Sequence, residues 1–458
     1  MKLLLFPNQL FEKKYLPKSV DIIFLVEDPV FFGFRESKYN FNKLKLVLHR
    51  ASMKSYEKYL QKEGCKVQYI EFAKVHKTSF QNMTCFELND YFLEKKYSKK
   101  ITTILPTPNF LMTTKDLEEF HKTSGKKKFI HRNFLQFVKC KLNLLVDEKS
   151  HDMENRKKIP KGMKIPPLPH LPENSHVTEA KSYIERNFPN NYGSTNHFIY
   201  PISHNETKSC FQVFLSERME HFGAYEDAIC SENNFLFHSI NGPLMNIGLI
   251  NPQDVLDMLQ KHSIKMNNYE GFIRQVVGWR EYQRYCYRYG YKEMKEANIF
   301  HNSKKLSKKW YTGSLGVEPV DNAIRDAFQY GYLHHIVRLM VICNFMNLNG
   351  IHPHEVYRWF MEFSVDSYDW VMIQNVYSMG MWADGGLTMR KPYISSDNYI
   401  QQMSNYKCGD WCVKWKNLYY QFLVKHQDIL RKTPYGRNIK SWENKSEEEK
   451  KKIMAFRL

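Results

Sequence analysis

Hydrophobic and polar positions follow two different regimes along the chain. Over residues 1 to 130, short apolar runs rich in β-branched residues (KLLLF, VDIIFLVED, KVQYIEF and ITTILPT) alternate with helical patterns such as FNKLKLVLHRASMKSYEKYLQ. Strands that alternate with helices predict a parallel sheet with crossover helices. Ligands of such sheets sit at the carboxyl ends of strands, which would place Pro7 to Phe11 and Glu27 to Arg35 around a cleft. No GxGxxG or GxxxxGK[ST] follows a strand, so neither a dinucleotide fingerprint nor a P-loop is present. Over 124–176 proline and lysine become dense (GKKK, then MENRKKIPKGMKIPPLPHLPEN), a composition that cannot build a core. It predicts an interdomain linker over 131–176, either a spacer or a segment docked on the surface. From 177 to 458 the period is helical, with helices predicted at 177–187, 208–220, 252–261, 270–289, 320–348, 353–362, 394–405 and 412–430. The expected fold is an α/β N-terminal domain (1–130) and an all-α C-terminal domain (177–458).

One helical stretch carries unusual chemistry. GYLHHIVRLM, residues 331–340, sets two histidines and an arginine among apolar positions Tyr332, Ile336, Met340 and Cys343. His334 and Arg338 lie one turn apart on one face, His335 and Leu339 on another. Adjacent histidines on a helix cannot chelate one ion, so no metal is expected. Taken alone, the stretch reads equally as a satisfied core pair or as a buried polar site. Four further segments, HFGAYEDA, LFHSINGPLMNIGLINP, EGFIRQVVGWREYQR and NVYSMGMWADGGLTMRKPYISSDNYI, combine aromatics, glycines and unpaired polar groups. Together they suit a large, planar, polar ligand.

Composition adds a partner. Lys plus Arg outnumber Asp plus Glu by 67 to 48, a formal net charge of +19, and aromatics make up 15%. That balance suits a polyanion with stackable bases, although many lysines would also serve as plain solvated surface. The 9 cysteines show no framework spacing, which predicts reduced thiols. The run MKLLLF is too short for a signal peptide, and no stretch approaches the ~18 apolar residues of a membrane span. A soluble, intracellular protein is expected.

These motifs resemble the photolyase and cryptochrome superfamily, in particular its bacterial iron–sulfur branch of (6-4) photolyases. The resemblance starts at LLLFPNQLF and LVEDPVFF, runs through KLKLVLHRASMKSY and MENRKKIP, and is densest in HFGAYEDA, LFHSINGPLMNIGLI, EGFIRQVVGWREY, GYLHHIVRLM and MWADGGLTMRKPYISSDNYI. It implies an α/β antenna domain and a helical domain that binds bent FAD. It gives His238, Ser239, Ile240 and Asn241 to the FAD phosphates, Arg338 and Asp366 to a charged pair beside the flavin, and Asn375 to flavin N5. Trp279, Arg280 and Asp384 fall in segments that contribute flavin or DNA contacts. His335 matches the histidine at the lesion, a general acid when protonated, with His334 beside it. Leu339, Met379 and Tyr393 line the pocket for the flipped-out lesion, and Trp359, Tyr399 and Tyr311 match electron-transfer aromatics, with Phe360 where tyrosine is common.

The resemblance also breaks at two cofactors. An iron–sulfur cluster takes four thiolates, whereas Pro319 stands where the first cysteine is expected and only Cys408 and Cys412 remain near the C-terminus. An iron–sulfur cluster is therefore expected to be absent. A ribityllumazine antenna would sit near Glu27, Asp28 and Met53, but Asn42 replaces the expected histidine, and an empty cleft is the alternative. The implied function is light-driven repair of (6-4) photoproducts by a monomer that binds UV-damaged DNA and no membrane. The alternatives are a cryptochrome-type blue-light photoreceptor and a cyclobutane-dimer photolyase.

Overall fold

Leu3, Leu4 and Leu5 are fully buried because the strand they form is the centre of a five-stranded parallel sheet. The computed structural model describes residues 1–146 and 149–457. β1 (Lys2–Leu5) pairs on one side with β2 (Ile22–Val26), Lys2 opposite Ile22, and β3 (Val67–Ile70) lies beyond β2. On its other side β1 pairs with β4 (Met83–Phe86), Leu3 opposite Thr84, followed by β5 (Ile101–Leu105). A central strand covered on both faces needs a continuous apolar run, and KLLL supplies one. At the edge, β5 leaves Ile104 65% exposed.

The order β3-β2-β1-β4-β5 reverses direction between β1 and β4, where a parallel sheet usually holds its ligand. Here that crevice is filled by protein. Gln9 donates to the carbonyls of Phe86 and Glu87, Asn109 donates to Asn8 O, and Arg284 from the helical region ion-pairs with Glu87 at 2.7 Å. Leu10, Phe11, Phe31 and Phe32 are buried. The cleft expected around Pro7 to Phe11 and Glu27 to Arg35 is thus replaced by packing between the two regions.

Helix α1 (Lys43–Lys62) makes much of that contact. Asn42 caps it by accepting from Leu44 N at 2.9 Å, and its first eleven residues are all buried because helices and sheet enclose every face. Lys45 Nζ donates to Ser367 O and sits 4.1 Å from the Phe41 ring centroid, while His49 Nε2 meets the Tyr368 hydroxyl at 2.8 Å.

The region expected as a linker is partly built into the core. α2 (His131–Leu142) buries Phe134 and Val138 completely, and Phe134 stacks on Tyr285 at 5.0 Å. Apolar positions at four-residue spacing outweigh the flanking lysines here. The strap that follows is docked: Lys157 N donates to Ala224 O, and Arg218 donates to Pro166 O.

The helical expectations hold with two informative changes. The predicted helix 208–220 begins earlier, at His204, because the Ser203 hydroxyl caps it by accepting from Glu206 N. The predicted helix 320–348 is broken. After α3 (Glu318–Tyr330), Gly331 takes a left-handed φ of 64°, and a Cβ there would lie 2.4 Å from Val365 Cγ2. Helix resumes only at His335, so His334 sits at its start rather than in its middle, although Arg338 N still bonds to His334 O.

Candidate functional site

Three helices open into wide π-type turns: Arg274–Trp279, Val337–Cys343 and Ile373–Gly380. A π-type turn adds a residue to the helical circuit and re-aims the side chains around it, which is why such turns gather at functional sites. All three line one cleft, through Gln275 and Trp279, Arg338 and Leu339, and Asn375 and Met379. The cleft holds a cavity of about 280 Å³ within about 1380 Å³ of unfilled space, near the ~300–1,000 Å³ typical of ligand sites. Gly380 lets two of the turns meet, since a Cβ there would lie 2.5 Å from Cys343 Sγ.

The loop His238–Asn241 forms another wall. Ile240 holds φ at 55°, an unusual strain for a β-branched residue. His238 stacks on His334 with centroids 4.7 Å apart at 16°. Burial pushes both imidazoles down, His238 to about 3, so they stack as neutral rings. His238 Nε2, His334 Nδ1 and Asn241 Nδ2 are buried without a partner in the protein. Orphaned donors and acceptors converging on one cleft are groups waiting for a polar ligand.

Arg338 and Asp366 form a two-pronged ion pair, 2.8 and 3.1 Å, and Arg338 Nε also donates to Leu333 O. Burial alone would raise the Asp366 carboxyl, but Arg338 and the Ser364 hydroxyl hold it below its ordinary value. Asn375 Oδ1 accepts from Gln283 Nε2 at 3.1 Å, which fixes the amide at the cleft wall. Trp279 stacks on His131 of α2 at 3.9 Å, so the expected linker braces the rim.

His335 also lines the cleft and remains exposed to solvent within it. The surrounding protein, and after it Arg338, pushes its pKa down, to about 4. That shift favours the neutral imidazole over the protonated one expected from the resemblance. Leu339 and Met379 are buried in the same lining.

Arg280 also lines the cleft, with its guanidinium held by protein: it donates to Asn109 O, Asn246 Oδ1 and Met245 O and sits about 5 Å from the rings of Phe110 and Trp370. Other expected residues lie elsewhere. Asp384 accepts from the Ser378 hydroxyl and Gly386 N and borders a separate hollow with Glu293 and His301, so it holds its own loop. Trp359 is fully buried, 5.3 Å from the cleft residue Phe360 and 5.8 Å from Phe328, which lies 5.7 Å from Tyr311. Tyr311 donates to Glu362. Tyr399 is not on that route; with Tyr393 it feels Asp227 and Arg156 at the far rim.

The residues expected around an antenna pigment do not fit one. Glu27 accepts from Arg50, Tyr69 and Phe72 N, Asp28 from Val30 N, Lys96 and Tyr97, and Met53 is fully buried. Asn42 is committed to its helix cap and to Phe328 O. Cys408 is exposed and Cys412 buried near the start of helix Asp410–Lys425, and Pro319 is the second residue of α3. Two thiols fall short of the four that hold a cluster.

Sequence reasoning missed Glu226 and Asp227, both in the cleft lining, and Gln283 behind Asn375. HFGAYEDA marked the first two only as part of a ligand loop; nothing in the string shows that the carboxyls face inward.

An α/β region docked on a helical body, with an orphan-lined cleft at the heart of the helices, defines a protein that encloses a large polar cofactor. Residues 3–200 match the family model of deoxyribodipyrimidine photo-lyase-related proteins, and 269–415 match that of the FAD binding domain of DNA photolyase. A (6-4) photolyase of Agrobacterium fabrum is 30% identical over 358 residues, 72% of this chain and 70% of that protein. An uncharacterized protein of Acanthamoeba polyphaga mimivirus, R855, is 61% identical over 93 residues, 20% of this chain and 76% of its own. Among solved structures, a class III photolyase from Agrobacterium tumefaciens superposes with a TM-score of 0.59 at 14% identity, covering 94% of this chain and 98% of that one. A Synechocystis cryptochrome gives 0.59 at 12% identity, covering 99% and 94%. The chain belongs to the photolyase and cryptochrome family, and FAD is the cofactor its helical domain is built for. The orphaned atoms of His238, Asn241 and His334 and the Arg338–Asp366 pair fit that group.

Proposed function

We propose that this chain is a DNA photolyase that repairs (6-4) photoproducts in light. What carries the reading is His335, free to meet a ligand in a cleft whose polar walls suit FAD, in a chain 30% identical to a (6-4) photolyase. When bound, reduced FAD supplies, on absorbing light, the electron that starts bond cleavage in the lesion and takes it back afterwards. His238 to Asn241 would hold its phosphates, Arg338 and Asp366 would set the charge beside its ring, and Asn375 would hydrogen-bond its edge. The buried walls exclude water from that contact. Leu339 and Met379 give a damaged base an apolar seat, and opening a damaged pair costs only a few kcal/mol. His335 hydrogen-bonds the lesion and gains a proton as polyanionic DNA arrives, because nearby negative charge favours the imidazolium. Trp359, through Phe360, provides an oxidisable ring next to the cofactor cleft. An antenna pigment and a cluster form no part of this reading. The net charge of +19 supports damaged DNA as the partner, met by one copy of the chain.

The test is to incubate FAD-loaded protein with oligonucleotides carrying each lesion, in blue light and in darkness, and to count restored bases. Restoration of the (6-4) product only in light is the expected result, and His335→Ala abolishes it while FAD stays bound. If neither lesion is restored although the flavin photoreduces, the protein is a photoreceptor instead.

A further inference from the structure

One carboxyl in the cleft has no role in the reading above. Glu226 follows the short helix Met219–Tyr225, which crosses helix Met266–Ile273 where two glycines meet: Gly223 Cα would lie 3.7 Å from a Cβ on Gly271. That close approach sets Glu226 in the cleft wall beside Gln275 and Phe272. Its Oε2, 3.6 Å from that same Cβ position, is buried and has no hydrogen-bond partner in the protein.

The nearby cations are engaged elsewhere. Arg156 bonds Asp152 at 2.6 Å and approaches Asp227 at 3.7 Å, and Arg274 bonds Asp152 at 2.5 Å. Glu226 therefore faces Asp227 and Asp152 as like charges, and Arg156 and Arg274 only as cations already paired. Glu270 of the crossing helix is likewise occupied, by Ser150 and His151 N. A carboxyl without a counter-ion in such a place keeps its proton. This part of the cleft wall reaches solvent, since Gln275 of the same lining is exposed.

Resting on the repair reading, we propose that Glu226 works as a neutral carboxylic acid at the cleft mouth, donating a hydrogen bond to a carbonyl oxygen or ring nitrogen of the damaged base. It is a substrate-positioning group on the wall that His335 does not supply. Burial, with Asp227 adding to it, raises its pKa to about 8, so the donor is present at neutral pH and disappears above that value.

Affinity for a lesion-bearing oligonucleotide, measured by fluorescence anisotropy in the dark on FAD-loaded protein, reads this directly. A required proton leaving with a pKa near 8 weakens wild-type binding about tenfold between about pH 7 and about pH 9. Glu226→Gln keeps a donor that cannot titrate, so its affinity stays within about threefold of wild type at neutral pH and its alkaline fall is gone. Glu226→Leu has no donor and binds about tenfold more weakly at neutral pH. Infrared difference spectra of Glu226→Gln against wild type, without DNA, show the loss of one protonated carboxyl band. The proposal is overturned if Glu226→Gln retains the alkaline fall, if Glu226→Leu binds like wild type, if that band is missing from wild type, or if the variants lose FAD rather than lesion affinity. Light-driven repair by the wild type is scored separately, so failure of the repair reading leaves the infrared result standing on its own.

Discussion

Removing both partners of the Arg338–Asp366 pair should cost clearly less than the sum of removing each one alone. The pair is two-pronged, and its side chains are 13% and 19% exposed, so water screens it only weakly. Unit charges with centres ~4 Å apart attract by about 4 kcal/mol at an effective dielectric near 20. Desolvation of both groups offsets part of that, which leaves a coupling of about 2 kcal/mol. Arg338→Leu or Asp366→Asn alone strands the other charge and should cost about 3 kcal/mol. The double variant should recover about 2 kcal/mol of the summed loss. Urea unfolding of the flavin-free protein gives all four corners of the cycle. The folded carboxyl of Asp366 titrates below its unfolded value, so its contribution is complete above about pH 4 and is lost as pH falls through the folded value. Asp366→Asn should flatten that acid limb. A coupling below about 0.5 kcal/mol would refute the claim that the two charges are held as one unit.

Gly380→Ala should drive the turns Val337–Cys343 and Ile373–Gly380 apart, because the new Cβ would sit 2.5 Å from Cys343 Sγ; bound FAD, read by absorbance, should fall at least about tenfold. Trp359→Phe should slow photoreduction by about tenfold or more with the circular dichroism unchanged, whereas Tyr399→Phe, lying off the Trp359–Phe328–Tyr311 route, should leave it intact. Burial, with the Arg35 charge adding to it, pushes the Lys45 ammonium down from 10.5 to about 7. The unfolded chain therefore binds the extra proton between those values, so stability should rise with pH there. Lys45→Met should remove that slope, and a wild type and variant with parallel curves from about pH 7 to about pH 9 would show that Lys45 is not desolvated.

The sequence pattern carries the layers of this molecule better than its site. Four of the five strands are legible because apolar runs of buried parallel strands stand out; β4 is not, because MTCF has no β-branched apolar residue, is interrupted by Thr84 and follows Asn82 at a φ of 54°. α2 was hidden by the lysines around it, yet Phe134 and Val138 repeat at the interval a buried helical face needs. The break at Gly331 depends on Val365, far along the chain, and no local rule contains it. Arg338, Asp366, His238 to Asn241 and Asn375 do meet in one cleft, as the family resemblance implies. Asp384 and Tyr399 depart because a motif assigns a residue to a neighbourhood, while its partners decide which way it points.

Protonation is where pattern and geometry differ most in consequence. In the resting cleft the three histidines, His238, His334 and His335, are all pushed towards neutrality, while Glu226 is pushed towards keeping its proton. The usual assignment, imidazolium as acid and carboxylate as base, is inverted by burial at His238, His334 and Glu226, and at His335 by the enclosing cleft walls together with the Arg338 charge. Arg338 and Asp366 form a fixed ion pair in that lining, and their charges offset each other. A cleft so arranged presents little net charge of its own, so the charge of the ligand sets the balance. On the repair reading proposed above, Arg338 would meet an anionic cofactor, and DNA would bring the negative potential that lets His335 take up a proton. The general acid would then be armed by substrate, at the time it is needed, and stay neutral while the cleft holds cofactor alone.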